Sequence, residues 1–154
     1  MTDAPITVIL ADDHDLVREG LRILLDFEEG IEIVADARDG VEAVALAKLH
    51  RPDVVVMDLT MPNMNGIEAT RQILAALPST KLLIVSAEGD KERIEEALAS
   101  GAVGYISKES SLMEVPTAIR EISQGKTFIC LTAARRLREE EDESDVRSSR
   151  VPRG

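Results

Sequence analysis

The sequence predicts an α/β fold, a doubly wound parallel sheet of five strands in the order 2-1-3-4-5. Two observations carry that expectation. Strand-like and helix-like stretches alternate five times along the chain, which argues a parallel sheet with helices on both faces. The strands also sort by polarity. Those starting at Thr7, Val54 and Lys81 are apolar throughout and belong in the centre, whereas those at Ile31 and Tyr105 are mixed or short and belong at the edges. Right-handed crossovers then select the order.

Each element has its own signal. Thr7-Val8-Ile9-Leu10-Ala11 is a continuous apolar strand ending in Asp12-Asp13. Val17, Leu21, Leu24 and Leu25 fall on one helical face, closed by Glu28-Glu29-Gly30. Ile31-Glu32-Ile33-Val34 carries a charge in its middle, so one side meets solvent. Asp39 reads as an N-cap, with Val41, Val44 and Ala45 opening the second helix, and Arg51-Pro52 ends it. Val54-Val55-Val56-Met57 runs straight into Asp58. Pro62 then stiffens the loop, and Gly66 permits a tight approach before the third helix.

Ile67, Thr70, Leu74 and Leu77 form the face of that helix, stopped by Pro78. Lys81-Leu82-Leu83-Ile84-Val85 is a third apolar strand and ends in Ser86-Ala87. Helix four, Lys91 to Ala99, is mostly charged outside Ile94, Ala97 and Leu98, a thin stripe that predicts weak packing. Gly101 to Gly104 marks a turn, and Tyr105-Ile106-Ser107 is a short strand ending at Lys108. Ser111-Leu112-Met113-Glu114 matches a capping box, and Leu112, Val115, Ile119 and Ile122 supply the last core face.

Composition limits what the chain can do. Its 154 residues suffice for one well-buried domain and are too few for two of ordinary size, and 44% hydrophobic residues exclude a disordered chain. A net charge of -11 and a pI near 4.6 oppose binding to nucleic acid or anionic membrane. No apolar run approaches the ~18 residues of a membrane span, and the first residues lack a signal-peptide pattern. The single cysteine, Cys130, reads as a small buried hydrophobe in a reducing, cytoplasmic protein.

After about residue 127 the pattern changes. Leu131 to Arg138 can extend as helix, and Glu139-Glu140-Glu141-Asp142-Glu143 is a solvated charge block. The final Val151-Pro152-Arg153-Gly154 resembles part of a thrombin cleavage sequence. The expected organisation is a domain over residues 1–126, a linker-like helical and charged tail over 127–147, and an added remnant over 148–154.

The predicted strand order brings Asp12, Asp13, Asp58 and Ser86 into one crevice, with Lys108 reaching in from the edge. Three facing carboxylates repel, and a divalent cation resolves the repulsion. Oxygen ligands at a site open to solvent suit Mg²⁺. Zinc does not fit, because His14 and His50 are far apart; His14 reads as surface loop and His50 as a helix end. An aspartate beside a metal and a lysine describes phosphoryl transfer, with Asp58 as nucleophile and the Ser86 hydroxyl donating to a phosphate oxygen. One rival is an aspartyl-phosphate hydrolase of the haloacid dehalogenase type, which would want an Asp-x-Asp pattern after its first strand. The other is a binding module of the same fold without phosphorylation, which an incomplete acidic set would have favoured.

The residues Asp12-Asp13, Asp58 in Met57-Asp58-Leu59-Thr60-Met61-Pro62-Asn63-Met64-Asn65-Gly66, Ser86-Ala87 and Gly101-Ala102-Val103-Gly104-Tyr105-Ile106-Ser107-Lys108 resemble the receiver domain of bacterial two-component response regulators. The likeness covers residues 6–124. It implies a CheY-like, flavodoxin-like (βα)5 fold with Asp58 as phosphoacceptor for a sensor histidine kinase. It further implies that Asp13, Asp58 and the Thr60 main-chain carbonyl ligate Mg²⁺ and that Asp12 acts through water. Ser86 and Tyr105 resemble the family's switch pair and Lys108 its phosphate-contacting lysine, while Thr60 and Glu88 fall where relatives tune dephosphorylation. Such a domain catalyses only its own phosphorylation and dephosphorylation. The Ala11-Asp12-Asp13-His14 opening and the Gly-Ala-x-Gly-Tyr-x-x-Lys segment resemble the NarL/FixJ-type transcription regulators. That implies a helix-turn-helix domain, which this sequence lacks, as the route to DNA, and a homodimer through the last helices. Pro116 departs from the pattern and predicts a kinked or late last helix.

Overall fold

The computed structural model describes residues 4–87, 89–108 and 112–138. Six parallel strands form one sheet in the order β2-β1-β3-β4-β5-β6. The strands are β1 (Ile6–Ala11), β2 (Ile31–Ala37), β3 (Val54–Met57), β4 (Lys81–Ser86), β5 (Gly104–Ser107) and β6 (Phe128–Ile129). Between them run α1 (Asp15–Asp26), α2 (Gly40–His50), α3 (Gly66–Ala76), α4 (Lys91–Ala99) and α5 (Val115–Ser123). The order 2-1-3-4-5 is therefore present, with a sixth strand added at the β5 edge.

The polarity of the strands explains their places. β3 is buried at every position, as are all residues of β4 after Lys81, while β2 is mostly half-exposed. The core joins Val8, Ile9 and Leu10 of β1 with Leu21 and Leu25 of α1. Ile73 of α3 and Ile119 and Ile122 of α5 belong to the same apolar cluster. No described helix is long and apolar enough to cross a membrane.

Helix faces follow the sequence with one exception. α2 buries Ala43, Val44 and Ala47, whereas Val41 and Ala45, read above as its inner face, are exposed. Its Asp39 N-cap accepts from the Glu42 N–H at 2.8 Å, as expected. α4 buries Ile94 and Ala97. α5 starts late: Leu112–Glu114 form a single 3₁₀ turn, and Pro116 sits in the first helical turn, where a missing N–H costs no bond. Ser111 of the expected capping box lies outside the described residues.

The sixth strand is the largest departure from the sequence reading. The Phe128 N–H donates to Val103 O at 3.0 Å, and the Cys130 N–H donates to Tyr105 O at 2.9 Å. Cys130 is buried at the start of a helical segment over residues 131–138, and its Sγ accepts from the Ser107 and Ala133 N–H groups, each at 3.4 Å. Ala133 is also buried, and Leu137 packs on the core. Truncating the chain after residue 126 should therefore cost about 2–4 kcal/mol, from the apolar surface exposed along β5. Urea denaturation of the shortened chain measures that loss.

Candidate functional site

Strand register builds the site. Ala11 of β1 pairs with Met57 of β3, so Asp12 and Asp58 leave the sheet side by side at its carboxyl edge. The Asp58 N–H donates to Ala11 O at 2.9 Å and the Asp12 N–H to Ala37 O at 3.1 Å. Each of these aspartates is only 3% exposed, whereas Asp13 is exposed. On the other flank, Ser86 of β4 pairs with Ser107 of β5, and the Lys108 N–H donates to Ser86 O at 3.0 Å. The Lys108 Nζ lies 2.8 Å from Asp12 Oδ2 and 3.1 Å from Asp58 Oδ2.

The remaining residues singled out from the sequence sit around this pair. Ser86 is fully buried at the end of β4, and Tyr105 is fully buried within β5. Thr60 is exposed two residues beyond Asp58, its N–H 3.4 Å from Asp58 Oδ1, a long contact. Glu88 lies outside the described residues.

The loop after β3 is held against the site by its glycine. A Cβ at Gly66 would collide with the main-chain oxygen of Asp58. The Gly66 N–H donates to Leu59 O at 2.8 Å. Asn63, at φ 67, takes the left-handed conformation and its Nδ2 donates to Asp39 Oδ2 at 2.7 Å. The loop is thus tied to the start of α2.

Two residues near the site were not assigned to it from the sequence. His14 lies on a surface loop as expected, with its side chain 60% exposed. Its Nδ1 nevertheless reaches Asp12 Oδ1 at 3.0 Å, Asp13 Oδ1 at 3.3 Å and Asp58 Oδ2 at 3.7 Å. Arg18 is buried on α1, with Nη1 donating to Asp12 O at 2.7 Å. The only signal for either was proximity in sequence to Asp12-Asp13.

Comparison with known proteins decides the family. Residues 8–120 match the response regulator receiver domain. The chain belongs to that family. This receiver domain is 40% identical over 140 residues to the uncharacterized transcriptional regulatory protein YxjL of Bacillus subtilis, spanning 90% of this chain and 64% of that protein. Its fold resembles a two-component response regulator of the LuxR family from Aurantimonas sp. SI85-9A1, at 37% identity and a TM-score of 0.85, covering 90% of this chain and 99% of the other. It also resembles the receiver domain of a response regulator NarL from Mycobacterium tuberculosis, at 33% identity and a TM-score of 0.76, covering 80% and 100%. The chain is thus a receiver domain of a two-component response regulator, and its relatives include transcriptional regulators.

The receiver domain's acidic pocket is compatible with a metal ion. Ligand atoms from Asp12, Asp13, His14 and Asp58 lie within 4.8 Å of one another. Burial pushes the Asp58 carboxyl above the usual 3.8; the Lys108 ammonium opposes that rise and the Asp12 charge adds to it. A carboxyl that binds its proton more tightly when folded adds stability that is complete below the unfolded pKa and is lost as pH rises through the folded one. Asp58→Asn should remove that loss. At neutral pH without divalent ions the variant should be more stable than wild type, and the gain should shrink as pH falls toward 3.8. Urea titrations across that range check the sign.

Proposed function

We propose that this receiver domain is a phosphorylation switch in which Asp58 accepts a phosphoryl group from the phosphohistidine of a sensor kinase. One observation carries the reading: the Asp58 carboxylate lies within 3.1 Å of the Lys108 ammonium, in the same acidic pocket as Asp12 and Asp13. A nucleophile, a cation and an acidic pair are the parts such a transfer requires.

In the transfer, an Asp58 oxygen attacks phosphorus and the P–N bond to the kinase imidazole breaks. The leaving nitrogen keeps the electron pair and takes up a proton. Lys108, now bound to two carboxylates, turns to the incoming phosphoryl oxygens, and the Ser86 hydroxyl donates to one of them. Asp13, Asp58 and the Thr60 carbonyl would hold Mg²⁺, with Asp12 acting through water. When bound, the ion neutralises charge on the transferred group. The domain thereby catalyses its own phosphorylation and dephosphorylation, and Thr60 and Glu88 tune the latter.

The product carries about -1.5 to -2 charge at pH 7. Ser86 ends β4 and Tyr105 lies within the neighbouring β5, so a rearrangement at Ser86 is passed to Tyr105 and to α4. α4 buries only Ile94 and Ala97 among its own residues, fewer than α1, α2, α3 or α5, so little packing opposes its displacement. A protein donor, rather than a free metabolite, fits the exposed apolar residues Leu16 and Ile23 on α1 and Phe27 at its C-cap, a helix that starts beside the acidic loop. In the longer protein, this cytoplasmic switch acts on transcription through a DNA-binding domain and a homodimer made by the last helices.

Incubation with acetyl phosphate and Mg²⁺, read by intact mass, tests the proposal. Wild type should gain one phosphoryl group, Asp58→Asn should gain none, and Lys108→Ala should label at least tenfold more slowly. An unlabelled wild type, or label on Asp58→Asn, defeats it.

A further inference from the structure

Arg18 lies on the inward face of α1, in line with Leu21 and Leu25, and is 8% exposed. An apolar side chain would close the core there without electrostatic cost, because a buried charge is unfavourable unless it is paired and hydrogen-bonded. Its Nη2 binds Asp15 Oδ1 at 2.7 Å, but that carboxylate is largely exposed, so the pair is no reason for burial. The other contact is more informative: Nη1 donates to the main-chain oxygen of Asp12 at 2.7 Å.

Asp12 is therefore held from both sides. Its N–H is bound to Ala37 O and its carbonyl to Arg18. Its Oδ1 accepts from the His14 N–H at 2.8 Å, and the Arg18 N–H donates to His14 O at 3.0 Å. Asp13 sits between these anchors. Side chains of Asp12, Asp13 and His14 converge on one cluster, although successive residues leaving a strand point to opposite faces. The chain must turn at this point, and something must hold the turn.

We infer that Arg18 is a positioning residue that fixes the loop between β1 and α1 so that Asp12 and Asp13 present their carboxylates to a divalent cation beside Asp58. The inference rests on the function proposed above. Two cations thus serve the pocket in different ways. Lys108 touches the carboxylates themselves, whereas Arg18 grips the main chain behind them.

The two roles a buried cation could play here predict opposite signs. A bystander charge near the pocket repels Mg²⁺, so removing it tightens binding. A positioning residue preorganises the ligands, so removing it weakens binding. Calorimetric titration of Mg²⁺ into the full chain separates them. Arg18→Met keeps the stem and should weaken Mg²⁺ at least fivefold. Arg18→Lys, which can keep one donor on the Asp12 carbonyl, should lie closer to wild type than Arg18→Met. Leu21→Ala destabilises the same helix without touching the loop and should leave the affinity unchanged.

A change under fivefold or a tighter site in Arg18→Met overturns the inference, as does an equal loss in Leu21→Ala. Should Arg18→Met fail to fold, Arg18→Gln decides, because it removes the charge and is too short to reach the Asp12 carbonyl: weaker binding supports the role, and an unchanged or tighter site overturns it. Absence of Mg²⁺ binding by wild type would sink the proposed function as well, whereas the Arg18 results alone leave it standing.

Discussion

Everything at the working end of this receiver domain depends on electrostatic repulsion held in check. Two aspartates leave neighbouring central strands, almost wholly buried, with a third carboxylate beside them. Left alone they would neutralise by protonation or push the strand ends apart. Lys108 prevents this from the end of β5, within 3.1 Å of both buried carboxylates. An assembly of opposed charges restrained by one ammonium is sensitive to any further charge placed in it. Chemical modification of one carboxylate then has consequences for the strand that carries the lysine.

Most of this arrangement was readable in the sequence because it is set by strand ends. Continuous apolar runs identify the central strands, and the central strands determine which termini meet. Asp12, Asp58 and Ser86 each directly follow such a run and Lys108 closes the short fifth strand, so their convergence follows from topology. Gly66 was legible for a similar reason: a glycine after a buried strand and a proline loop points to backbone contact, and its neighbour is the Asp58 oxygen.

What escaped the sequence depends on side-chain direction or on long-range pairing. α2 is apolar nearly all round, so periodicity cannot choose between a face with Val41 and Ala45 and one with Ala43 and Ala47. The ring of His14 reaches the carboxylates because the loop turns after Asp12, which spacing does not encode. Arg18 has no sequence signal that marks it for burial, which follows from a main-chain acceptor placed by the sheet. Phe128 and Ile129 are too few to show any period. They become a strand because the β5 edge offers unpaired backbone groups.

That added strand alters how the sheet meets other molecules. A buried strand such as β5 left as an edge would offer its backbone to any extended chain, a template for self-association. Covering it with a two-residue strand leaves too short a ladder to recruit another copy. At the opposite edge, β2 carries Glu32 exposed to solvent, and like charges there disfavour stacking one sheet on the next. Both margins are thereby protected against aggregation, so the domain can expose apolar residues on α1 without its sheet becoming sticky.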